Sequence, residues 1–343
     1  MKDQVVVKAP VRVDFAGGPS DVAPFCTEEW GYVVNAAIDK YAVVRVARRS
    51  DGQVVLASAD LGIQETYPSI AALRHDTPLR LLTTAIELTG IRQGIDVRVQ
   101  TDVPAGCGLG ASAAVSVALL YALHEISGEG VPAGADLAQA AIRHETGKLH
   151  NVGGGQDQYA ATFGAVQSFR FAGGEVGRRY LAVSPETIRA LDESLLLCHS
   201  GTSRISGAVL DSVMRRYSAG DAAVTGHLRR LREIAAAIET MLEAGDLAEL
   251  GPHLTEAWHA FRALHPSVST SRIEQVMAVA AAHGATGGKA TGAGGGGCVL
   301  LACAPGTRDA VTAALHEAGF TTIPFHITRQ GVQLVTERPS DQE

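Results

Sequence analysis

Ten residues, Pro104-Ala-Gly-Cys-Gly-Leu-Gly-Ala-Ser-Ala113, constrain this chain more than any other stretch. They follow the alternating run Ile95-Asp-Val-Arg-Val-Gln-Thr-Asp102 and lead directly into the apolar run Ala113 to Leu123. Alternation predicts a half-buried strand, and the apolar run predicts a buried helix. Glycine lets backbone approach an anion closely, and the free N–H groups and dipole of a first helical turn favour negative charge. The natural guest of such a loop is a polyphosphate. Gly106 to Ala111 also fits the dinucleotide pattern G-x-G-x-x-A, but that pattern needs a second strand after its helix. Here Ser-Gly-Glu-Gly-Val-Pro132 and another helical stretch follow, so the context fails. No G-x-x-x-x-G-K-[ST] occurs, which removes the Walker loop. A plain strand-to-helix turn with no ligand remains the alternative for this motif taken alone.

With 343 residues, 46% of them hydrophobic, there is apolar material for two cores. A net charge of −7 argues against nucleic acid as the main partner. The arginines at 215–216 and 229–232 read as a solvated face paired with acidic neighbours such as Glu233 and Glu239. No signal peptide is visible, and the longest apolar span falls short of the ~20 residues a membrane helix needs. Five scattered cysteines without a C-x-x-C pair fit a reduced, cytoplasmic protein. Cys107 sits inside the phosphate loop, where it is open to alkylation without being catalytic.

Strands are expected at residues 5–15, 32–38, 41–46, 53–58 and 165–171, with helices at about 78–89, 112–127 and 136–146. Beyond Pro185 come a short strand (194–199), long helices to about Ala263, a helix from Ser271 to His283, and a closing strand–helix–strand series. The organisation is α+β, with two domains, 1–185 and 186–343, and a cleft between them.

Three further segments carry chemistry. Ala9 to Asp21 is a strand ending in a glycine turn, able to present short polar side chains to a hydroxyl-rich ligand. It reads equally well as an ordinary Asp/Gly/Pro turn. His144 to Tyr159 holds Glu145 at a helix end and Asp157 beyond the Gly153-Gly-Gly155 hinge. Two carboxylates held apart can divide labour, one holding a cation and one facing a nucleophilic hydroxyl. A zinc-protease reading fails on the H-E-x-x-H spacing. Gly287 to Gly297 matches G-x-G-x-x-G at its end but precedes a strand, so close approach to a ligand or another loop is expected instead.

Together these segments resemble the GHMP kinase superfamily across nearly the whole chain. Motif one, A-P-G-R-V-N-L-x-G-E-H-T-D, is kept in length, with Arg12 and Asp21 at the matching places. Motif two, P-x-G-x-G-L-G-S-S-A, is matched by Pro104 to Ala113, with Ala111 in place of the first serine. Motif three is matched by Lys289 to Gly297, and the M-D-Q element by Gln156-Asp157-Gln158. Phe15 to Asp21, Gln156 to Tyr159 and Gly201 to Ser206 look most like the branch that phosphorylates D-glycero-D-manno-heptose 7-phosphate. The kinase part of fucokinases is the nearest relative, and Pro19 departs from both.

The resemblance implies a GHMP kinase fold and MgATP-dependent phosphorylation of an anomeric hydroxyl, on a heptose 7-phosphate or another sugar phosphate. Pro104, Gly106, Gly108, Leu109, Gly110, Ala111 and Ser112 would hold ATP. Ser112 and Glu145 would hold magnesium, Asp157 would face the acceptor hydroxyl, and Arg12 would stabilise charge beside it. Asp14, Gly17, Gly18, Ser20, Asp21, Gly155, Arg204, Gly294 and Gly295 are the implied acceptor residues, Arg204 as the clamp for a distal phosphate. The partner would be a small sugar or sugar phosphate, with no nucleic acid or membrane, and the protein a monomer or homodimer. A fucokinase- or galactokinase-like enzyme acting on a free sugar or cyclitol, and a silent ligand-binding regulator, are the alternatives.

Overall fold

The computed structural model describes residues 2–149, 151–202 and 207–335. Among them are twelve strands: β1 (Gln4–Ala16), β2 (Gly31–Arg48), β3 (Val54–Ser58), β4 (Ile63–Tyr67), β5 (Ile95–Thr101), β6 (Val166–Ala172), β7 (Glu175–Tyr180), β8 (Leu195–His199), β9 (Ala285–Ala290), β10 (Cys298–Cys303), β11 (Thr321–Ile323) and β12 (Gln333–Leu334). The helices are α1 (Phe25–Glu28), α2 (Arg80–Leu88), α3 (Ala111–Ser127), α4 (Gly134–Ile142), α5 (Gln156–Phe163), α6 (Pro185–Ser194), α7 (Gly207–Ser218), α8 (Ala222–Ala244), α9 (Leu250–Leu264), α10 (Ser271–Ala282) and α11 (Arg308–Glu317).

The first sheet runs β12-β1-β2-β5-β3-β4, with β6 and β7 added beside β2. Its pairs are antiparallel except β3 with β5. The second sheet, β11-β8-β10-β9, is antiparallel throughout. Residue 185 divides the strands of the two sheets, except that the last strand crosses back to pair with β1.

β1 is buried along nearly its whole length, because α3 and α5 cover it. Strands covered in this way read as continuous apolar runs rather than alternating ones. α3 is apolar on nearly every face and carries fully buried Leu119 and Leu123, each worth about 2 kcal/mol of burial. It ends on Gly128, a left-handed cap. In the second half α8 packs on α9, and α9 packs on β9.

Three of the expected segments take another form. The strands expected at 32–38 and 41–46 are one strand, β2. Asp39 and Lys40 stay extended because residues 326–327 run alongside: the Asp39 N–H donates to the His326 carbonyl at 2.9 Å, and the His326 N–H returns to Asp39 Oδ1 at 2.8 Å. The helix expected through 146 stops at Ile142 and opens into a π-turn, Arg143–Lys148. That wider turn carries two consecutive buried side chains, His144 toward Thr84 of α2 and Glu145 toward Ser112 of α3. Gly287-Gly-Lys289 forms β9 rather than a loop. Gly287 admits Gly251 of α9 so closely that a Cβ there would lie 2.0 Å from the Gly251 carbonyl.

Candidate active site

A cleft of about 380 Å³ opens where the loop before α3 meets the turn after β1, the π-turn, the start of α5 and the Thr291–Gly297 loop. The loop's shape follows from its alternation: Gly106, Gly108 and Gly110 all take positive φ (72°, 78° and 74°), a region that side chains resist. The chain therefore switchbacks at every second residue and delivers Gly110 as the cap of α3. Ala111, Ser112 and Ala113, the first turn, face the cleft with the N–H groups that no intrahelical carbonyl can satisfy.

Arg12 and Asp157 meet at the mouth of this loop. Arg12 is 3% exposed. Its Nε donates to Asp157 Oδ1 at 2.8 Å, its Nη2 lies 2.7 Å from the same oxygen, and its Nη1 donates to the Gly108 carbonyl at 2.7 Å. Burial opposes the charge on Arg12, yet Asp157, Asp14 and Asp21 together hold its pKa above the ordinary value. Asp157 sits in the first turn of α5, where the helix dipole favours a carboxylate. Its side chain is about a quarter exposed, and a Cβ at Gly110 would lie 3.1 Å from its carboxyl. One guanidinium thus fixes both the acid and the phosphate loop.

Glu145 faces Ser112 across the cleft. Ser112 Oγ donates to Glu145 Oε2 at 2.9 Å, and Gln158 Nε2 donates to Oε1 at 2.8 Å. Burial raises the pKa of Glu145, against the pull of the Gln158 and Ser112 hydrogen bonds and with help from Asp157. Asp21, 5% exposed, is pushed up to about 7 by burial first and then by Asp157 and Asp14. The Gln156 N–H donates to its Oδ2 at 3.2 Å, which offsets part of that rise. A Cβ at Gly154 would fall 1.8 Å from Asp21 Oδ2, so glycine is obligatory there for the hinge to approach the carboxylate. Perturbed carboxylates gathered in a cleft mark a functional site on physical grounds.

Two profiles of one family match the chain: "GHMP kinases N terminal domain" over residues 77–165 and "GHMP kinases C terminal" over residues 234–320, together just over half of it. The chain belongs to the GHMP kinases. This GHMP kinase is an ATP-dependent phosphotransferase, and its relatives are named as kinases. It is 26% identical over 337 residues to a D-glycero-alpha-D-manno-heptose 7-phosphate kinase of Campylobacter jejuni, covering 95% of this chain and 97% of that one. It is 29% identical to a bifunctional fucokinase/GDP-fucose pyrophosphorylase of Arabidopsis thaliana, over 86% of this chain but only 29% of that much longer protein. A crystal structure of a D-glycero-D-manno-heptose 1-phosphate kinase from Bacteroides thetaiotaomicron superposes with a TM-score of 0.80 at 24% identity, covering 97% and 99% of the two chains. That likeness shows the fold.

In this GHMP kinase the cleft gathers Arg12, Asp14, Gly18 and Asp21 from the first motif, and Gly106, Gly108, Gly110, Ala111 and Ser112 from the second. Glu145 and Asp157 join them. Several other sequence-predicted residues support the cleft from behind. Leu109 is fully buried in the core, while its carbonyl accepts from the Arg12 N–H. Pro104 starts the turn through a hydrogen bond from the Cys107 N–H to its carbonyl. Ser20 gives its hydroxyl to the Tyr32 backbone on β2, and Gly17 lies against that same backbone. Gly155 is wedged between Ile142 and Phe171. Gly294 and Gly295 dock on the Val268 carbonyl, the Gly295 N–H at 2.6 Å, so their close approach is to another loop. Arg204 lies outside the described residues.

The structure adds residues that spacing did not single out. Gln158 holds Glu145, and Lys289 holds Asp14. The first was legible only as a flank of Asp157, the second only as a lone cation inside a glycine-rich run. The donor set at Ser112 and Glu145, a hydroxyl and a carboxylate, suits a hard cation such as magnesium. A buried carboxylate whose pKa is raised is a group that a bound cation would relieve. Among the described residues no helix is long and apolar enough to cross a membrane.

Proposed function

We propose that this kinase transfers the γ-phosphoryl group of ATP to the anomeric hydroxyl of a sugar, with D-glycero-D-manno-heptose 7-phosphate as the first candidate. The observation that carries the reading is the Arg12–Asp157 pair at the mouth of the phosphate loop, on the side lined by Asp14 and Asp21. The loop and first turn of α3 hold the triphosphate. Ser112 and Glu145 would hold magnesium, which would supply positive charge against the phosphates. Asp157 orients the acceptor hydroxyl and takes its proton as the new O–P bond forms and the bond from the γ-phosphorus to the bridging oxygen breaks, releasing ADP. Arg12 keeps that carboxylate in place and balances charge on the transferring group. Phosphoryl transfer passes through a loose transition state, so positioning and fixed charge do most of the catalysis.

The choice of heptose 7-phosphate rests on the match along both full lengths to the Campylobacter kinase. A free sugar is the second reading, favoured by one observation: among the described residues lining the cleft, Arg12 is the one basic side chain, and Asp157 already pairs with it. A dianion in a closing cleft needs a cationic partner, and Arg204 is the candidate for it. ADP release is measured with heptose 7-phosphate, fucose, galactose and mevalonate at equal concentration. The reading expects the heptose phosphate to be turned over fastest. Faster turnover of fucose or galactose promotes the free-sugar reading, and a preference for mevalonate rules out both.

A further inference from the structure

Among the described residues, the ammonium of Lys289 is the most deeply enclosed charge in the molecule's second half. It is 1% exposed, next to the last residue of β9, yet its side chain leaves its own sheet and reaches β1. There Nζ donates to the backbone carbonyl of Asp14 at 3.0 Å and to Asp14 Oδ2 at 3.0 Å. Both partners are almost without solvent, 2% and 3% exposed by side chain. Removing two charges from water costs more than a surface pair returns, so a pair of this kind needs a reason beyond stability.

The other oxygen of the same carboxylate supplies one. Asp14 lines the cleft, and its Oδ1 is buried without a hydrogen-bond partner among the described residues. A buried acceptor left unmade is expensive, and native chains rarely leave one without cause. A Cβ on neighbouring Gly18 would meet Asp14 Oδ2 at 3.2 Å and Gln156 Nε2 at 2.8 Å. The clamped oxygen of Asp14 and an amide donor therefore flank one bare stretch of backbone, with the free Oδ1 set farther from it. Asn35 Nδ2 donates to Gln156 Oε1 at 3.3 Å, which fixes the amide with its nitrogen on that side.

We propose that Lys289 is a positioning residue for acceptor recognition: it clamps Asp14 Oδ2 so that the unpartnered Oδ1 accepts a hydrogen bond from an acceptor hydroxyl in the cleft that Asp14 lines. This rests on the sugar-kinase reading and narrows it. The pairing of a fixed carboxylate with an amide donor selects adjacent hydroxyls and repels an acceptor that carries a carboxylate at that point. Burial lowers the pKa of Lys289, with Arg12 adding to that fall and Asp14 opposing it.

The test compares Lys289→Met, Asp14→Asn and the double variant in the full-length protein. The acceptor used is the compound that wild type phosphorylates fastest. Each single substitution should raise the acceptor KM about tenfold or more and leave the ATP KM within about twofold, with the double variant no worse than the worse single, since contacting residues are not additive. Equal changes in both KM values, or losses that add in the double variant, overturn the proposal. If Lys289→Met does not fold, Asp14 being left as an unpaired buried charge, the double variant decides alone: an unchanged acceptor KM overturns the proposal. A crystal structure of Lys289→Met, or of the double variant, needs no activity at all. Residue 14 turned away from Gly18 supports the clamp, and an unmoved residue 14 overturns it. A fastest acceptor that is not a sugar refutes the functional reading and leaves this comparison to settle Lys289 separately.

Discussion

Arg12 Nη2 lies 2.7 Å from Asp157 Oδ1, while Nη1 of the same guanidinium donates to the Gly108 carbonyl at 2.7 Å. Three motifs far apart in sequence are thus joined through one planar cation. Lysine has a point charge and cannot reproduce that fork. Arg12→Lys should therefore lower kcat by about tenfold or more and destabilise the fold by about 1–3 kcal/mol, the cost of leaving a buried acceptor unmade. Steady-state kinetics and denaturant melts check both. A lysine variant with wild-type kcat would show that one positive charge, rather than the fork, is all the site uses.

Asp157→Asn keeps the shape of the side chain and one oxygen for Arg12, so folding and the ATP KM should change little. Turnover should fall by ~10²–10⁴, the usual size of a general-base contribution. Near-normal turnover would remove Asp157 from the chemistry and leave it only as a partner of Arg12.

Glu145 holds its proton more tightly than an ordinary carboxyl because burial disfavours the anion. The magnesium concentration for half-maximal rate should therefore rise as pH falls. Glu145→Gln, which can keep the contacts to Ser112 and Gln158, should need at least about tenfold more magnesium at all pH values and lose that pH dependence. A pH-dependent magnesium requirement that survives in the variant would place the titrating group elsewhere.

The phosphate loop, the order of the motifs and the α+β class were legible because each is written in local sequence: glycine spacing, apolar runs, and turns after strands. What was not legible depends on distant partners. The π-turn at Arg143–Lys148 follows from Thr84 taking His144 while Ser112 takes Glu145, two contacts made by separate helices. β9 forms despite two consecutive glycines because each meets a close neighbour, Gly287 the Gly251 backbone of α9 and Gly288 the Leu300 backbone of β10. Lys289 and Asp14 are 275 residues apart, and no spacing rule pairs them. The Gly294-Gly295 segment looks ligand-like in sequence, and only the fold shows that Val268 occupies it.

Asp21 couples the site to stability. Its pKa, pushed up to about 7 from an ordinary 3.8, means that the folded chain holds this proton where the unfolded chain has released it. Stability contributed by the protonated form is complete below about pH 4 and is lost as pH rises through about 7. A rise of that size sets a ceiling of about 4 kcal/mol on the contribution. Asp21→Asn cannot titrate, so its melting temperature relative to wild type should climb between pH 5 and pH 8. A difference that stays flat over that range contradicts the shifted proton.

The ³¹P spectrum of the product is the most direct test of the central claim, that an anomeric hydroxyl is the acceptor. The protein is incubated with ATP, magnesium and D-glycero-D-manno-heptose 7-phosphate until ADP release stops. The account predicts two phosphomonoester signals of equal area, the new one split by coupling to the anomeric proton and the terminal one unchanged. A new phosphate coupled to any other carbon's proton, or ADP released with inorganic phosphate as the only new signal, would contradict it.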